Sequence, residues 1–423
     1  MFRYKLLLFV FCILFLPFSN LIQAEELTVE EAVGVALKNN PQLKASKWAS
    51  SAVFSQIGQK KSAFYPQVSW QSAYNRNYKE EKLSSPYYSS YRTNFEVNQL
   101  IFDFERTKNL VKASKEGYEF SKWDYQKVRQ TVILNTEIAY FNYLASRRMV
   151  KLNKKIVEQK RQLLYKAQQF FKVGLKPKID ATKAEANLYD TKLSLIKAKN
   201  TEDLFKVDLI NAMGIKTFPY TNLKDILEIE TFNNINLLKA KHIALENRPE
   251  ILQNKAQRRE EEYLLKAVKA EYFPTLSGSI TYGWQNTKFP LKKEWTAGAN
   301  ISFPLFSGFL TKKKVEEERA RIMEIKEDGE TVVQDILKEV EKAYLDMRAH
   351  RQAIITAKKG CGASQENLNL ANERYKQGLN TIIEITDAQV QYSNAETNYI
   401  KALYDYKMAE TRFKKAIGEY IED

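Results

Sequence analysis

A chain that is written twice must fold as two copies of one unit, and this one repeats over nearly its whole length. Ala36-Leu37-Lys38-Asn39-Asn40-Pro41 aligns with Ala244-Leu245-Glu246-Asn247-Arg248-Pro249 at an offset of 208. The same offset pairs Phe64-Tyr65-Pro66 with Tyr272-Phe273-Pro274, and Tyr74 with Tyr282. Further on the offset becomes 204, pairing Ile101-Phe102 with Leu305-Phe306, Ala139-Tyr140 with Ala343-Tyr344, Gly174-Leu175 with Gly378-Leu379, and Ala212-Met213-Gly214 with Ala416-Ile417-Gly418. Two repeats are therefore expected, at 25–214 and 236–423, with a connector or equatorial segment at 215–235. The change in offset falls between about 78 and 98, which marks a surface loop where length is tolerated.

Each copy reads helix, two strands, long helix, turn, helix. The first is expected to place strands at about 66–78 and 91–102, a long helix at 105–173 and a return helix at 179–213. The second places strands at about 274–286 and 294–306, a long helix at 309–377 and a return helix at 382–417. Val68, Trp70 and Tyr74 alternate with Gln67, Ser69, Gln71 and Asn75; Tyr91, Thr93, Phe95 and Val97 alternate with Arg92, Asn94, Glu96 and Asn98. In the second copy Leu276, Ile280, Tyr282 and Trp284, and then Trp295, Ala297, Ala299, Ile301 and Phe303, face away from small polar residues. Period-two alternation gives each strand one apolar and one polar face. This fits a half-buried antiparallel sheet or, given export, a membrane barrel with its aromatic face toward lipid. Four strands cannot close a barrel, so oligomers are required, and an open duct favours twelve strands over a side-chain-filled eight. The expected fold is an α+β membrane protein: a trimeric 12-stranded antiparallel β-barrel, four strands per chain, continued by a long α-helical coiled-coil barrel.

Export is read from residues 1–24. Arg3 and Lys5 precede the apolar run Leu6–Leu16, and Ile22-Gln23-Ala24 offers a cleavage site, so 1–24 is expected to be a signal peptide. The net charge is +15, of which Arg3 and Lys5 contribute two, leaving +13 in the mature chain. Export changes how that charge is read: an exported basic protein does not normally meet nucleic acid, so no nucleic-acid partner is expected. Only 14 Gly and 10 Pro in 423 residues favour long helices over many small domains. From Glu105 to Val173 only Gly117 interrupts helix-forming residues, enough for a helix of about 100 Å. The opening helix is expected from Thr28 to Phe64. Val150, Val157, Leu164 and Phe171 are seven apart, matched by Ile354, Cys361, Leu368 and Tyr375. The return helices carry a 3-4 spacing, seen in Ala181, Ala184 and Leu188 and again in Ile385, Ala388 and Tyr392. Such seams make antiparallel coiled-coil hairpins. Cys361 lies in the seam and reads as a small core residue, flanked by Gly360 and Gly362, where a local bend or looser packing is expected.

Taken together, the tandem repeat, A-L-x-N-x-P at the start of each copy, the aromatic-aromatic-Pro entry to each strand pair and the Gly-Leu turns resemble the TolC-type outer-membrane efflux proteins. The resemblance covers essentially all of the mature chain. It implies a homotrimer in the cell outer membrane, in contact with its lipid and extending into the periplasm as a twelve-helix tunnel. It also implies a periplasmic adaptor (membrane fusion) protein and an inner-membrane pump of RND, ABC or MFS type. The chain would then be the exit duct of a tripartite efflux pump or type I secretion system, conducting passively what the pump delivers. By the same resemblance Val173, Gly174, Leu175, Gln377, Gly378 and Leu379 form the adaptor-docking tips. Glu384, Asp387, Tyr375 and Asp180 fall at the periplasmic constriction or gate. Lys183 stands where the second carboxylate of the first copy would be, and Asn380 where some members carry a locking arginine. Glu384 and Asp387 also fit a plain solvated first-turn pair favoured by the helix dipole. Arg106, Lys108, Lys312, Lys313 and Lys314 suit either lipid phosphates or water.

No nucleophile motif, metal-ligand set or phosphate loop is present in the sequence, so neither an enzyme nor a cofactor is expected. The competing class is a structural periplasmic coiled-coil or adhesin-like rod without a conduit, against which the alternating strands argue.

Overall fold

The structure, a computed structural model, describes residues 26–78, 87–220, 222–225, 236–379 and 381–420. The expected signal peptide, the loop 79–86, most of the connector and Asn380 lie outside the described residues. In chain order the elements are β1 (Glu26–Leu27), α1 (Val29–Asn39), α2 (Pro41–Lys61), β2 (Gln67–Tyr78), β3 (Tyr87–Phe102), α3 (Arg106–Lys172) and α4 (Lys178–Met213). They continue as β4 (Asn222–Leu223), α5 (Leu237–Asn247), α6 (Pro249–Lys269), β5 (Thr275–Asn286), β6 (Lys292–Ser302), α7 (Leu310–Lys376) and α8 (Ile382–Ala416).

The single opening helix expected from Thr28 to Phe64 is instead two helices, α1 and α2, followed by a 3-10 turn at Ser62–Phe64. The repeat motif is the cause. Asn40 turns extended at ψ 124°, its side chain accepts from the backbone N–H groups of Gln42 and Leu43, and Pro41 occupies the first position of α2. A proline is tolerated there because that N–H has no intrahelical partner anyway. The second copy breaks at Arg248-Pro249 in the same way. Each break rests against the far end of its own copy: Asn40 Nδ2 donates to Ala212 O at 3.0 Å, and Arg248 donates to Ala416 O at 3.1 Å.

Helices α3 and α7 hold 67 residues each, about 100 Å at 1.5 Å per residue. Helix α7 runs through Gly360 and Gly362 without interruption, and a Cβ at either would meet open space. The upper part of α3 packs on α2 and α6, through Phe54 against Tyr118 (5.1 Å between rings), Ser50 against Ser121, and Gln253 donating to Asp124 at 3.1 Å. Its lower part packs on α4 and α8, where Leu163, Ala167, Ala184, Tyr375, Ile382 and Ile385 form one cluster. Cys361 is half-buried beside Leu368, Ala388 and Tyr392, and burial raises its thiol pKa, reinforced by Glu396. Midway, β1 and β4 pair in parallel, with the buried Tyr140 hydroxyl 2.8 Å from the carbonyls of Leu27 and Lys224.

Among the described residues the long strands form one antiparallel sheet in the order β2-β3-β5-β6. β3 starts at Tyr87 rather than 91 because Tyr78 and Tyr87 still pair, with their rings 5.2 Å apart. β6 stops at Ser302 rather than 306, just before Pro304, which has no N–H to give a ladder. The register puts Val68, Trp70, Phe95, Val97, Ile280, Tyr282, Trp295 and Ala297 on one face and Gln67, Ser69, Gln71, Asn94, Asn98, Ser279, Thr281 and Thr296 on the other. Trp70, Tyr74, Trp295 and Ile301 are exposed. The outer edges of β2 and β6 have no strand partner among the described residues. An apolar sheet with two open edges is an incomplete object. No described helix is long and apolar enough to cross a membrane.

Candidate functional site

The chain reverses twice at the end of the molecule farthest from the sheet. In the first turn Gly174 adopts φ +73°, its N–H donates to Phe171 O, and the Leu175 N–H donates to Phe170 O at 2.9 Å. In the second, Gly378 adopts φ +75°, with Gly378 N–H donating to Tyr375 O and Leu379 N–H to Arg374 O at 3.0 Å. These are glycine caps in which the positive φ, not lack of space, demands glycine, since a Cβ at either position would meet nothing within 4 Å. The caps push Leu175 and Leu379 outward, each 68% exposed, and Val173 and Gln377 are exposed beside them. Apolar side chains at the ends of rods gain nothing from water there, which suits a surface that a partner covers.

Just inside the tips, Tyr375 is 1% exposed and joins the two hairpins. Its ring lies 5.8 Å from Phe170 of α3, and it packs with Ala184 of α4 and Ile382 and Ile385 of α8. Burial raises its pKa, and the nearby Asp180 carboxylate raises it further, so the phenol stays neutral. Its hydroxyl has no hydrogen-bond partner among the described residues. The fold thus brings Tyr375 and Asp180 together across the hairpins. Glu384 and Asp387 are exposed on the first turns of α8. The Glu384 N–H points at the hydroxyl of the cap residue Thr381 at 3.4 Å. The Glu384 carboxylate in turn accepts from the Thr381 hydroxyl at 3.4 Å, the local first-turn arrangement, and both carboxylates are exposed.

One residue escaped the sequence reading. Lys160 of α3 is 5% exposed, and its Nζ has no hydrogen-bond partner among the described residues. Burial lowers its pKa to about 8, while the Asp387 carboxylate pulls the other way. The signal was present: Lys160 stands three after Val157 and four before Leu164, a seam position where a lysine is out of place. Asp387 therefore has a cation behind it within its own protomer.

At the junction of rods and sheet, the basic residues are largely occupied. Arg106 and Lys314, from the two copies, converge on Glu271 at 2.7 and 2.9 Å, while Lys108 and Lys313 pair with Glu105 and Glu316 of their own helices. Phe104, Glu105, Gly308 and Phe309 all have positive φ there. Three of these are not glycines, so the turn from strand to helix stores backbone strain.

Known proteins share this fold. A family profile described as outer membrane efflux protein matches residues 32–214 and 241–419, once per copy. Outer membrane protein TolC of Escherichia coli (strain K12) is 24% identical over 434 residues, covering 96% of this chain and 84% of that one. The TolC of Vibrio cholerae is also 24% identical, over 96% of this chain and 93% of its own. Among solved structures, the Campylobacter jejuni CmeC outer membrane channel superposes with a TM-score of 0.83 at 21% identity, covering 93% of this chain and 86% of that one. That likeness shows a common fold.

Proposed function

Because the chain belongs to the outer membrane efflux protein family, it is an outer-membrane exit duct reaching into the periplasm, and we propose how its two ends divide the work. Three copies close the open-edged sheets into a twelve-stranded barrel, and their hairpins assemble into the tunnel beneath it. Cargo passes without chemistry: the chain is a conduit, not an enzyme. An inner-membrane pump, of RND, ABC or MFS type, and a periplasmic adaptor deliver it. The adaptor docks on Val173, Gly174, Leu175, Gln377, Gly378 and Leu379. Glu384, Asp387, Tyr375 and Asp180 form the constriction, with six carboxylates from Glu384 and Asp387 facing the pore and favouring cations. A conduit-free rod has no use for the lipid-type face of the sheet.

The observation that carries this reading is the polarity of the molecule. One end has an apolar sheet with two open edges, and the other has leucines held outward by glycine caps. Gly378→Pro tests it, since proline has no N–H for the cap and cannot adopt φ +75°. Export is expected to be lost while trimers survive in detergent; normal export would remove the docking role. A monomeric or dimeric particle without a central channel in negative stain would remove the duct.

A further inference from the structure

The polar face of the sheet is not uniformly polar, and its register sorts the charges into rows. Ser69, Glu96, Thr281 and Thr296 stand level across the four strands. The next row is Gln71, Asn94, Gly283 and Glu294, and the row after it is Ala73, Arg92, Gln285 and Lys292. The remaining paired positions on this face are uncharged. Because β2 enters from α2 at Gln67 and leaves at Tyr78, the two acidic rows lie nearer the tunnel and the basic row nearer the outside.

We infer that the closed barrel carries its own charge filter, an inner acidic belt of Glu96 and Glu294 and an outer basic belt of Arg92 and Lys292, separate from the constriction at the tips. This rests on the duct reading above, since only closure of three sheets turns rows into rings of six carboxylates and six cations. Successive rows are about 7 Å apart along the strand. Twelve strands tilted about 40° make a barrel about 24 Å across.

On β3 one acid and one base are held in place by neighbouring amides. Glu96 accepts from Gln71 Nε2 at 3.1 Å and from Asn98 Nδ2 at 2.8 Å, and Arg92 Nε donates to Gln285 Oε1 at 3.2 Å. Among the described residues no ion pair joins either base to either acid, so the belts do not cancel each other at contact distance. Between them the wall is hollowed. Gly283 sits so close to β3 that a Cβ there would run into the Thr93 carbonyl and Asn94. Arg92, Asn94, Glu96, Gly283 and Glu294 line a concavity of about 370 Å³. Asn94, 8% exposed, borders it with an Oδ1 that has no partner among the described residues. The inner belt draws cations arriving from the tunnel, and the outer belt repels those outside.

At 0.15 M salt the screening length of about 8 Å confines the belts to the wall, whereas at 0.01 M it reaches about 30 Å and spans the lumen. The test is therefore the cation-to-anion permeability ratio of single trimers in planar bilayers at low salt. It is made in a Glu384→Gln/Asp387→Asn background so that the tips do not set the ratio. Glu96→Gln/Glu294→Gln is expected to lower the ratio about two-fold or more and Arg92→Gln/Lys292→Gln to raise it, both effects shrinking at 1 M. Conducting trimers in which neither pair of changes moves the ratio overturn the filter but not the duct. Purified wild-type chain that forms no conducting trimer overturns the duct, and the filter with it.

Discussion

In the first copy the break between α1 and α2 is held by an uncharged amide, Asn40; in the second the aligned residue is Arg248. Both reach the last carbonyls of the returning helix, Ala212 O and Ala416 O. Asn40 also caps α2 through Gln42 and Leu43. Arg248 makes no such side-chain cap for α6. It is 3% exposed and pairs instead with Glu250 at 2.9 Å and with Glu339 of α7 at 2.8 Å, and Glu339 also takes Lys415 at 2.8 Å. Burial opposes the charge on Arg248, but Glu250 and Glu339 outweigh it and raise the guanidinium pKa, while both carboxyls are held below their ordinary range. One backbone geometry is thus secured once by a local cap and once by a network spanning three helices. Duplication preserved the shape of the joint, and its chemistry diverged.

Breaking the joints should rank the two copies. The largest loss is expected from Gly214→Ala, whose Cβ would lie 2.7 Å from Asn40 Cα at a residue with φ +67°. Strain and overpacking together cost about 4 kcal/mol, read as a fall in trimer melting temperature. Gly418→Ala, at φ +78°, meets Asn247 less closely, 3.0 Å from its Cβ and 3.2 Å from its backbone carbonyl carbon, and should cost about half as much. An equal loss at both glycines would show that the two joints are packed alike. Arg248→Met, which strands Glu250 and leaves Glu339 only Lys415, should cost about 3 kcal/mol, against about 1 kcal/mol for Asn40→Ala. The reverse order in thermal unfolding would mean the network adds nothing over a cap.

The tips provide the smallest and most specific comparison, because only the second copy carries an acidic pair. With a pKa of about 8, Lys160 is about 90% charged at pH 7 and about 10% at pH 9. Its deprotonation removes the cation behind Asp387, so cation preference should rise about two-fold over that interval. Tyr375, raised by burial and Asp180, stays neutral throughout. Lys160→Met should show the high-pH preference already at pH 7 and lose the pH dependence. A variant that titrates like the wild type would free Asp387 from Lys160.

Much of this architecture was legible because it is periodic. Alternation at two residues exposed the strands, seven-residue spacing exposed the hairpins, and the matched Gly174 and Gly378 exposed both turns. Periodicity failed at Asn40, where a cap and a proline interrupt a pattern that would otherwise continue. It failed again at β6, where Pro304 withholds a donor. Lys160 was passed over because the seam was followed through its apolar members, and a buried cation is defined by what surrounds it.

The sequence by itself determined the duplication, the faces of strands and helices, the reversals at Gly174 and Gly378 and the membership in a family of ducts. The faces and reversals follow from local rules, since φ preference, side-chain period and apolar spacing act within a few residues of the chain; the family came from motifs matched in order, twice over. The tertiary structure alone decided that Tyr375 meets Asp180 across two hairpins, that Arg248 finds Glu339, that Lys160 stands behind Asp387, and that Arg92 and Lys292 lie level. Each of these joins residues far apart in the chain, and strand register and helix rotation, which set such distances, are fixed only when the whole unit packs.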